Sequence, residues 1–432
     1  MTVDNAISTA MQLHKQGELL EARTLYNDIL RAVPEHPDAL HYLGVAMHQL
    51  GDSEEGIVYI QRSLESAPGH PDALNNLGNV YREIGRYEDS EASYKKVLEI
   101  APDHADTLVN LGIILRGLKR PEEALAMIEQ ALVIDPEHAK AHHNLGNVYR
   151  DLERYDEALT AYGRSETLDP LDGDSARAIA KLLNSQGRHD EAVKVLKSLI
   201  ETKPDDALAV HQLAACTGQE VPKRATDQYI CQMFDHYAAS FDESLARLKY
   251  KAPTLVGARV IKQFGGSDQK YRVLDIGCGT GLCGPLVKPI SDRLVGVDLS
   301  RNMLQRAEKR GVYDQLEEAE LSAYMNTEEA AFDVVICVDT FVYFGDLGDG
   351  LRAASHTLRT GGWLFFTVEQ HEPEEHDNNY WLQLHGRYSH SKRYVRRTLE
   401  DAGFDVGELD DVILRTERGN PVDGILAIAQ KV

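Results

Sequence analysis

Val273-Leu-Asp-Ile-Gly-Cys-Gly-Thr-Gly281, with the later stretch Leu294-Val-Gly-Val-Asp298, decides how the C-terminal half of this 432-residue chain folds. An apolar strand runs straight into three alternating glycines, Gly277, Gly279 and Gly281. They let the backbone turn tightly and come closer to a ligand than any Cβ would permit. A second apolar strand ends in Asp298, 17 residues past Gly281, where a carboxylate can accept both hydroxyls of a ribose. Gly279-Thr-Gly-Leu-Cys-Gly284 also spells the G-x-G-x-x-G of a dinucleotide fold, with Asp298 19 residues after Gly279. Asp275 weighs against that alternative. A carboxylate just before the first glycine and pointing into the loop would meet a pyrophosphate as a like charge, at a cost of about 4 kcal/mol for a separation of roughly 4 Å and an effective dielectric of about 20. A cationic ligand suits the same carboxylate, and a glycine turn with no ligand is the third alternative.

Phe332-Asp-Val-Val-Ile-Cys-Val338 reads as a buried strand from its apolar run, and Leu358-Arg-Thr-Gly-Gly362 as a turn into the strand Trp363-Leu-Phe-Phe-Thr-Val368. Alternation of these strands with amphipathic helices predicts a parallel α/β sheet, whose ligands bind at the carboxyl ends of strands near the switch in strand order. Asp275, Asp298, Glu320 and Asp339 all fall at or just past such ends. One carboxylate after a strand is commonly a helix cap; four in register ask for more.

In this order the motifs resemble those of a class I S-adenosylmethionine-dependent methyltransferase, over residues 225–432. The resemblance implies a Rossmann-like α/β domain with a mainly parallel seven-stranded sheet. It implies S-adenosylmethionine as cofactor, whose ammonium and sulfonium complement Asp275. Residues Asp275, Gly277, Gly279 and Gly281 match the first motif and, by resemblance, contact the methionine moiety, while Asp298 matches the ribose acid. Leu299 and Met303 would flank the adenine or ribose, with Ser300 capping the next helix. Glu320 and Leu321 would sit near the adenine amino group, and Val338 would border the site.

A sulfonium methyl is already activated, so its in-line transfer needs mainly a nucleophile held close, aligned and shielded from water. A hydroxyl or carboxylic acceptor also gains from a base within hydrogen-bond reach. Asp339 and Tyr343 follow the strand that ends beside the methyl in this family, and His390 lies in Arg387-Tyr-Ser-His-Ser391. These three are the catalytic candidates, with substrate positioning or a structural role as the alternative for each. Asp227 to Phe241 carries apolar and aromatic residues three and four apart, the pattern of an amphipathic helix. In the family such a helix lies over the cofactor, so Phe234, Tyr237, Phe241 and Tyr250 would close the site, unless the helix merely packs on the sheet. The segment from Glu369 to Ser391 holds His371, His376, His385 and His390 with Trp381 and Tyr388. Its imidazoles are 5, 9 and 5 apart, without helix-face spacing and a partner acid, so a polar, aromatic substrate lid is expected and no metal.

The N-terminal half has its own signature. Pro34, Pro68, Pro102, Pro136, Pro170 and Pro204 recur every 34 residues, Leu-Gly pairs begin at Leu43, Leu77, Leu111 and Leu145, and Ala22, Gly56, Ser90, Ala124, Ala158 and Ala192 keep the same step. This period resembles the tetratricopeptide repeat, two helices per unit packed through small residues. Six repeats and a capping helix, Asp205 to Cys216, give an all-α solenoid over 1–218, since each repeat buries its apolar face only against neighbours. Gly218-Gln-Glu-Val-Pro222 marks the boundary, followed by a linker and lid helix over 219–250 and the methyltransferase domain over 251–432. Lys119 and Glu153 replace the inter-helix glycine found at Gly17, Gly51, Gly85 and Gly187, so those two turns are expected to be less regular. Asn76, Asn110 and Asn144 keep the step, as do Arg82, Arg116 and Arg150, along one broad helix face. By resemblance this face lines an inner groove that grips the amides of an extended protein or peptide partner; otherwise the arginines simply pair with local acids. His36, His70, His104 and His138 read as turn residues.

With 43% apolar and 27% charged residues the composition is that of globular domains. A net charge of −23 repels phosphate backbones, so no nucleic acid partner is expected, and Lys392-Arg-Tyr-Val-Arg-Arg397 reads as a solvated helix face. Five cysteines without framework spacing suggest a reduced, cytoplasmic protein. No leader pattern and no run of 18 apolar residues is present, so neither secretion nor a membrane span is expected. Three function classes remain: a protein or peptide methyltransferase whose repeats recruit the partner; a small-molecule O- or N-methyltransferase whose repeats are a scaffold; and a cofactor-binding module without catalysis, which the intact Asp275, glycines and Asp298 oppose.

Overall fold

The computed structural model describes residues 2–266, 268–371, 379–417 and 419–432, and the chain forms two compact units, Met1–Gln186 and Gly187–Val432. The first is wholly helical: α1 (Val3–Lys15), α2 (Leu19–Ala32), α3 (Pro37–Gln49), α4 (Ser53–Ser66), α5 (Pro71–Glu83), α6 (Tyr87–Ile100), α7 (Ala105–Gly117), α8 (Pro121–Ile134), α9 (Ala139–Asp151), α10 (Tyr155–Leu168) and α11 (Asp174–Ser185). The helices pair as the 34-residue step predicts. The Leu-Gly glycine is required by close approach: a Cβ at Gly78 would lie 2.5 Å from the ring of Tyr94, and one at Gly146 2.6 Å from that of Tyr162.

Those two tyrosines explain two asparagines. The hydroxyl of Tyr94 donates to Asn79 (2.8 Å) and that of Tyr162 to Asn147 (2.9 Å). Where the facing residue is Ile60 or Ile128, the asparagine position holds Val45 or Ile113. Polar and apolar pairs therefore alternate over these four repeats, the hydroxyls of Tyr94 and Tyr162 each finding an acceptor. His36, His70, His104 and His138 are the N-caps of α3, α5, α7 and α9, and the imidazoles of His70 and His104 accept the N–H of Ala73 and Thr107.

The turns at Lys119 and Glu153 are not irregular, which corrects the expectation. Both residues take the left-handed conformation of the glycines they replace, φ 64° and 60° against 82° at Gly85. The hydrogen bonds repeat too: Arg120 N to Leu115 O (2.9 Å) and Arg154 N to Tyr149 O (2.8 Å) match Arg86 N to Tyr81 O (2.8 Å). The packing of each helix pair imposes the turn, and the non-glycine residue bears the strain.

The second unit contains α12 (His189–Thr202), α13 (Ala207–Thr217), α14 (Asp227–Tyr237), α15 (Phe241–Arg247), α16 (Ala252–Phe264), β1 (Tyr271–Ile276), α17 (Gly284–Val287), β2 (Ser291–Asp298), α18 (Arg301–Lys309), β3 (Gln315–Glu318), α19 (Leu321–Thr327) and β4 (Phe332–Cys337). It continues with α20 (Gly348–Thr357), β5 (Leu358–Gln370), β6 (Tyr380–Leu382), β7 (Tyr388–His390), α21 (Lys392–Asp401), β8 (Phe404–Glu417) and β9 (Asn420–Lys431). Strands β3-β2-β1-β4-β5 are parallel, and β9 and β8 extend them antiparallel, giving the seven strands expected. The hairpin β6–β7 adds to the end of β5, so the sheet has nine strands among the described residues. Chain order reverses between β1 and β4, which puts a ligand crevice at the ends of β1, β2 and β4.

Both faces of the sheet are covered. Leu274 and Ile276 pack with α19, α20 and α21 through Met325, Leu351 and Leu399. Val273 faces the other way, with Val256 and Val260 of α16 and Val287 of α17. The expected division at 218 falls inside the second unit, because α13 is part of it. His211 meets the Gly386 carbonyl at 2.9 Å, and Ala214 and Ala215 pack on Leu382 and Tyr388 of the hairpin. No helix among the described residues is long and apolar enough to cross a membrane.

A left-handed backbone costs a non-glycine residue roughly 1–2 kcal/mol, partly offset by the extra unfolded-state freedom of glycine, about 0.4–1 kcal/mol. Lys119→Gly and Glu153→Gly should each stabilise the repeats by about 0.5–1 kcal/mol in urea unfolding. Destabilisation by either would contradict the turn geometry.

Candidate active site

β1 ends in Asp275 and Ile276, and the loop that follows turns through Gly277, Gly279 and Gly281 at φ 67°, 53° and 80°. A Cβ at Gly277 would collide with Thr340, 2.1 Å from its hydroxyl, whereas one at Gly279 would meet nothing within 4 Å. Gly279 therefore opens the loop to a ligand. Its N–H donates to Asp298 Oδ2 and that of Ser300 to Asp298 Oδ1, both at 2.8 Å, so one carboxylate holds the loop and the start of α18 together. Burial raises the pKa of Asp298, opposed by these backbone N–H groups.

Asp275 does not point into the loop as the sequence suggested. Strand alternation sends it with Val273 to the face of α16 and α17, where it is 1% exposed and its Oδ2 accepts the hydroxyl of Tyr313 (2.7 Å). Burial pushes its carboxyl up to about 7, eased by the Tyr313 hydroxyl and raised further by Asp298. The third glycine of the dinucleotide-like spelling, Gly284, faces the same tyrosine: a Cβ there would lie 2.8 Å from the ring. That glycine is therefore required by close packing on Tyr313.

Glu320 is the N-cap of α19 through Oε2, which accepts the Ala323 N–H (2.7 Å), while Oε1 is buried with no hydrogen-bond partner. An orphaned acceptor beside the ends of β2 and β3 fits the exocyclic amine of an adenine. Glu318, opposite Asp298 in the β2–β3 register, is a further acid at this edge, which the motif match passed over. Leu299 and Val338 are half-buried, whereas Met303 and Leu321 are buried, Leu321 in the core under the sheet.

Helices α14 and α15 cover these loops. Ser300 Oγ donates to Asp235 (2.5 Å), Cys231 Sγ to the Leu299 carbonyl (3.5 Å), and Thr280 Oγ1 to Asp242 (2.5 Å), which Arg310 also engages. Phe234 packs edge-on against Tyr343 (5.5 Å) and Phe241 (5.9 Å). Tyr237 is 49% exposed, and Tyr250 shares a side-chain hydrogen bond with Asp339.

The three catalytic candidates separate. Asp339 sits at the end of β4 with φ 52°, its N–H donated to Thr367 Oγ1 (2.8 Å), and the Thr367 hydroxyl returned to Asp339 Oδ1 (2.7 Å). Arg415 of β8 reaches Asp339 Oδ2 (3.1 Å), Glu417 (2.7 Å) and Glu369, and Arg387 joins Glu369 to Glu417. Burial raises the Asp339 pKa against the pull of Arg415. Tyr343 is pushed up to about 12 by burial, so its hydroxyl stays protonated at neutral pH and can only donate or accept. His390 is fully buried, with Nε2 donating to the carbonyls of Phe344 (2.8 Å) and Gly345 (3.2 Å), and burial lowers it to about 4. It pins the hairpin to the chain after β4 and has no exposed edge for an acceptor.

Arg415 and Arg387 were not singled out by sequence. The available signal was a lone charge within the strand Val412-Ile-Leu-Arg415. Of the expected lid, Tyr388 is buried and Trp381 half-exposed, and His385 faces Glu369 (3.3 Å); His376 lies outside the described residues. No metal-ligand cluster occurs among the described residues.

In the repeats, Asn76 meets His41 (2.8 Å), Asn110 accepts from Arg82 (3.4 Å), and Asn144 donates to the Lys140 carbonyl (2.8 Å). Arg116 and Arg150 pair with Asp151 at 2.8 and 3.1 Å, and Arg82 with Glu83 at 3.4 Å. Each expected peptide-facing residue thus already has a partner within the repeats.

Fold and crevice define a doubly wound α/β domain. Residues 233–409 match a family described as a methyltransferase domain, and 10–71, 69–137, 104–170 and 143–207 match tetratricopeptide-repeat families. The chain is a methyltransferase with a tetratricopeptide-repeat array ahead of its catalytic domain. It is 26% identical to a ubiquinone biosynthesis O-methyltransferase of Bordetella avium, over 39% of this chain and 74% of that protein. With methyltransferase-like protein 27 of Homo sapiens it shares 31% identity over 31% of this chain and 56% of that protein. Among solved structures, a tetratricopeptide-repeat protein of Thermus thermophilus is 23% identical with a TM-score of 0.37, covering 42% of this chain and 99% of that one.

An Asp whose folded pKa of about 7 exceeds its ordinary 3.8 binds a proton on folding between those values. The folded state therefore loses stability as pH rises from about 4 to 7, and no more above it. Asp275→Asn should raise the ligand-free melting temperature by several degrees at pH 8 and by little at pH 4.5. An equal shift at both would show that Asp275 is not held at this raised pKa.

Proposed function

We propose that the chain transfers a methyl group from S-adenosylmethionine to a hydroxyl of a small aromatic acceptor, with a protein partner bound by the repeats. The cofactor assignment is carried by one observation: a glycine loop open at Gly279 and tied to Asp298 stands beside the orphaned Glu320 oxygen. Asp298 would take the ribose and Glu320 the adenine amine. Ionised Asp275 would attract the cofactor's positive charges from beneath the loop. The cofactor supplies an activated methyl. The chain supplies alignment and exclusion of water by α14 and α15, and a place for the acceptor's proton.

That place is Asp339. It is a carboxylate in a strained backbone, fixed by Thr367 and Arg415, with a pKa that burial raises and Arg415 lowers. Tyr343 would orient the acceptor under Phe234. Likeness to O-methyltransferases and the aromatic cover favour a small hydroxyl acceptor over a protein side chain. Engagement of the repeat asparagines and arginines with partners inside the repeats weighs against a peptide held by its amides. The repeats then assemble a complex, and a cytoplasmic setting fits the free cysteines.

Full-length protein incubated with methyl-labelled S-adenosylmethionine and cell lysate should place label in the small-molecule fraction. Asp339→Asn should cut that labelling by about 100-fold or more with cofactor affinity unchanged in calorimetry. Label confined to protein bands would overturn the acceptor assignment, and full activity of the variant would remove Asp339 as base.

A further inference from the structure

Tyr313 lies in the segment 310–314 between α18 and β3 and belongs to no motif. Its ring fills the room that three glycines leave: a Cβ at Gly281 would lie 2.8 Å from it, at Gly284 2.8 Å and at Gly296 2.9 Å. Its hydroxyl donates to Asp275 Oδ2 at 2.7 Å. One side chain thus touches the glycine loop, the start of α17, β1 and β2.

The titratable groups facing Asp275 are Tyr313, Asp298 at the end of β2, the thiols of Cys278 and Cys283 in the loop, and Cys337 of β4. No cation is among them. Burial and Asp298 both oppose ionisation, and the Tyr313 hydroxyl favours it. Burial also raises the Tyr313 pKa far above its usual value, so it remains a donor throughout the accessible range.

We propose that Tyr313 is a positioning residue for the cofactor: its ring sets the shape of the glycine loop, and its hydroxyl holds the Asp275 carboxylate ready for a cationic sulfonium nucleoside. The proposal rests on the S-adenosylmethionine reading. Removing the hydroxyl leaves the strut but makes ionisation of Asp275 harder, so cofactor binding at neutral pH must first draw off a proton. Removing the ring leaves three glycines facing a void, which impairs the loop at every pH.

The test uses the full chain, its Tyr313→Phe and Tyr313→Leu variants, S-adenosylmethionine as probe, and calorimetry from pH 6 to 8.5. Melting of the ligand-free proteins is followed over the same range. In the Phe variant the Asp275 midpoint should rise by about one pH unit, weakening cofactor affinity about fivefold at pH 7 and hardly at all at pH 8.5. The cofactor's own amine titrates at about 8 in all cases and cancels in the ratio. The Leu variant should bind weakly across the whole range. A Phe variant with the parent's pH profile in both affinity and melting, or one weakened equally at every pH, would overturn the proposal. If the parent binds no S-adenosylmethionine, the cofactor reading fails, and the ligand-free melting profiles still decide whether Tyr313 governs Asp275.

Discussion

The hydrogen bond from the Gly279 N–H to the Asp298 carboxylate, 2.8 Å long, is the constraint on which the rest of the catalytic half depends. It joins the loop after β1 to the end of β2, and the other oxygen of the same carboxylate caps the entry to α18. A hydrogen bond to a charged group contributes about 1.5–3 kcal/mol, enough to hold a loop whose three left-handed glycines would otherwise sample many shapes. From that point the cover is built outward. Asp242 grips Thr280 of the loop, and Asp235 grips Ser300 of the cap, so α14 and α15 are fastened to the residues that would touch a cofactor.

Carboxylates in this domain are sorted by what surrounds them. Among the described residues Asp275 is buried with no cation beside it and tends toward its neutral form, whereas Glu369 is buried, and Asp339 and Glu417 partly buried, around two arginines. A buried ion cluster adds little net stability, because desolvation consumes much of the attraction. Its use here is geometric: it fixes the direction of Asp339 at the end of β4.

Periodic features were legible in the sequence. The 34-residue step predicted the helix pairs, and the apolar strands with their glycine loop predicted the doubly wound sheet, the switch point and the place of Asp298. What stayed hidden depends on contacts between segments far apart in the chain. Tyr313 and Arg415 stand 38 and 76 residues from the acids they hold, in segments with no motif. Nearness to Gly277 in the sequence places Asp275 in the loop, but strand alternation turns it inward. At Lys119 and Glu153, local preference argued for looser turns, and helix packing imposed the glycine geometry instead. His390 looked chemical in a histidine-rich stretch and proved to be a buried anchor for β7.

A crystal structure of the full chain with S-adenosylhomocysteine would test the central claim most directly. The predicted result is a ribose on Asp298, an adenine amine on Glu320 Oε1, and the homocysteine passing over Gly279 with its sulfur toward Asp339. A ligand bound elsewhere, or one whose ribose makes no contact with Asp298, would contradict the account.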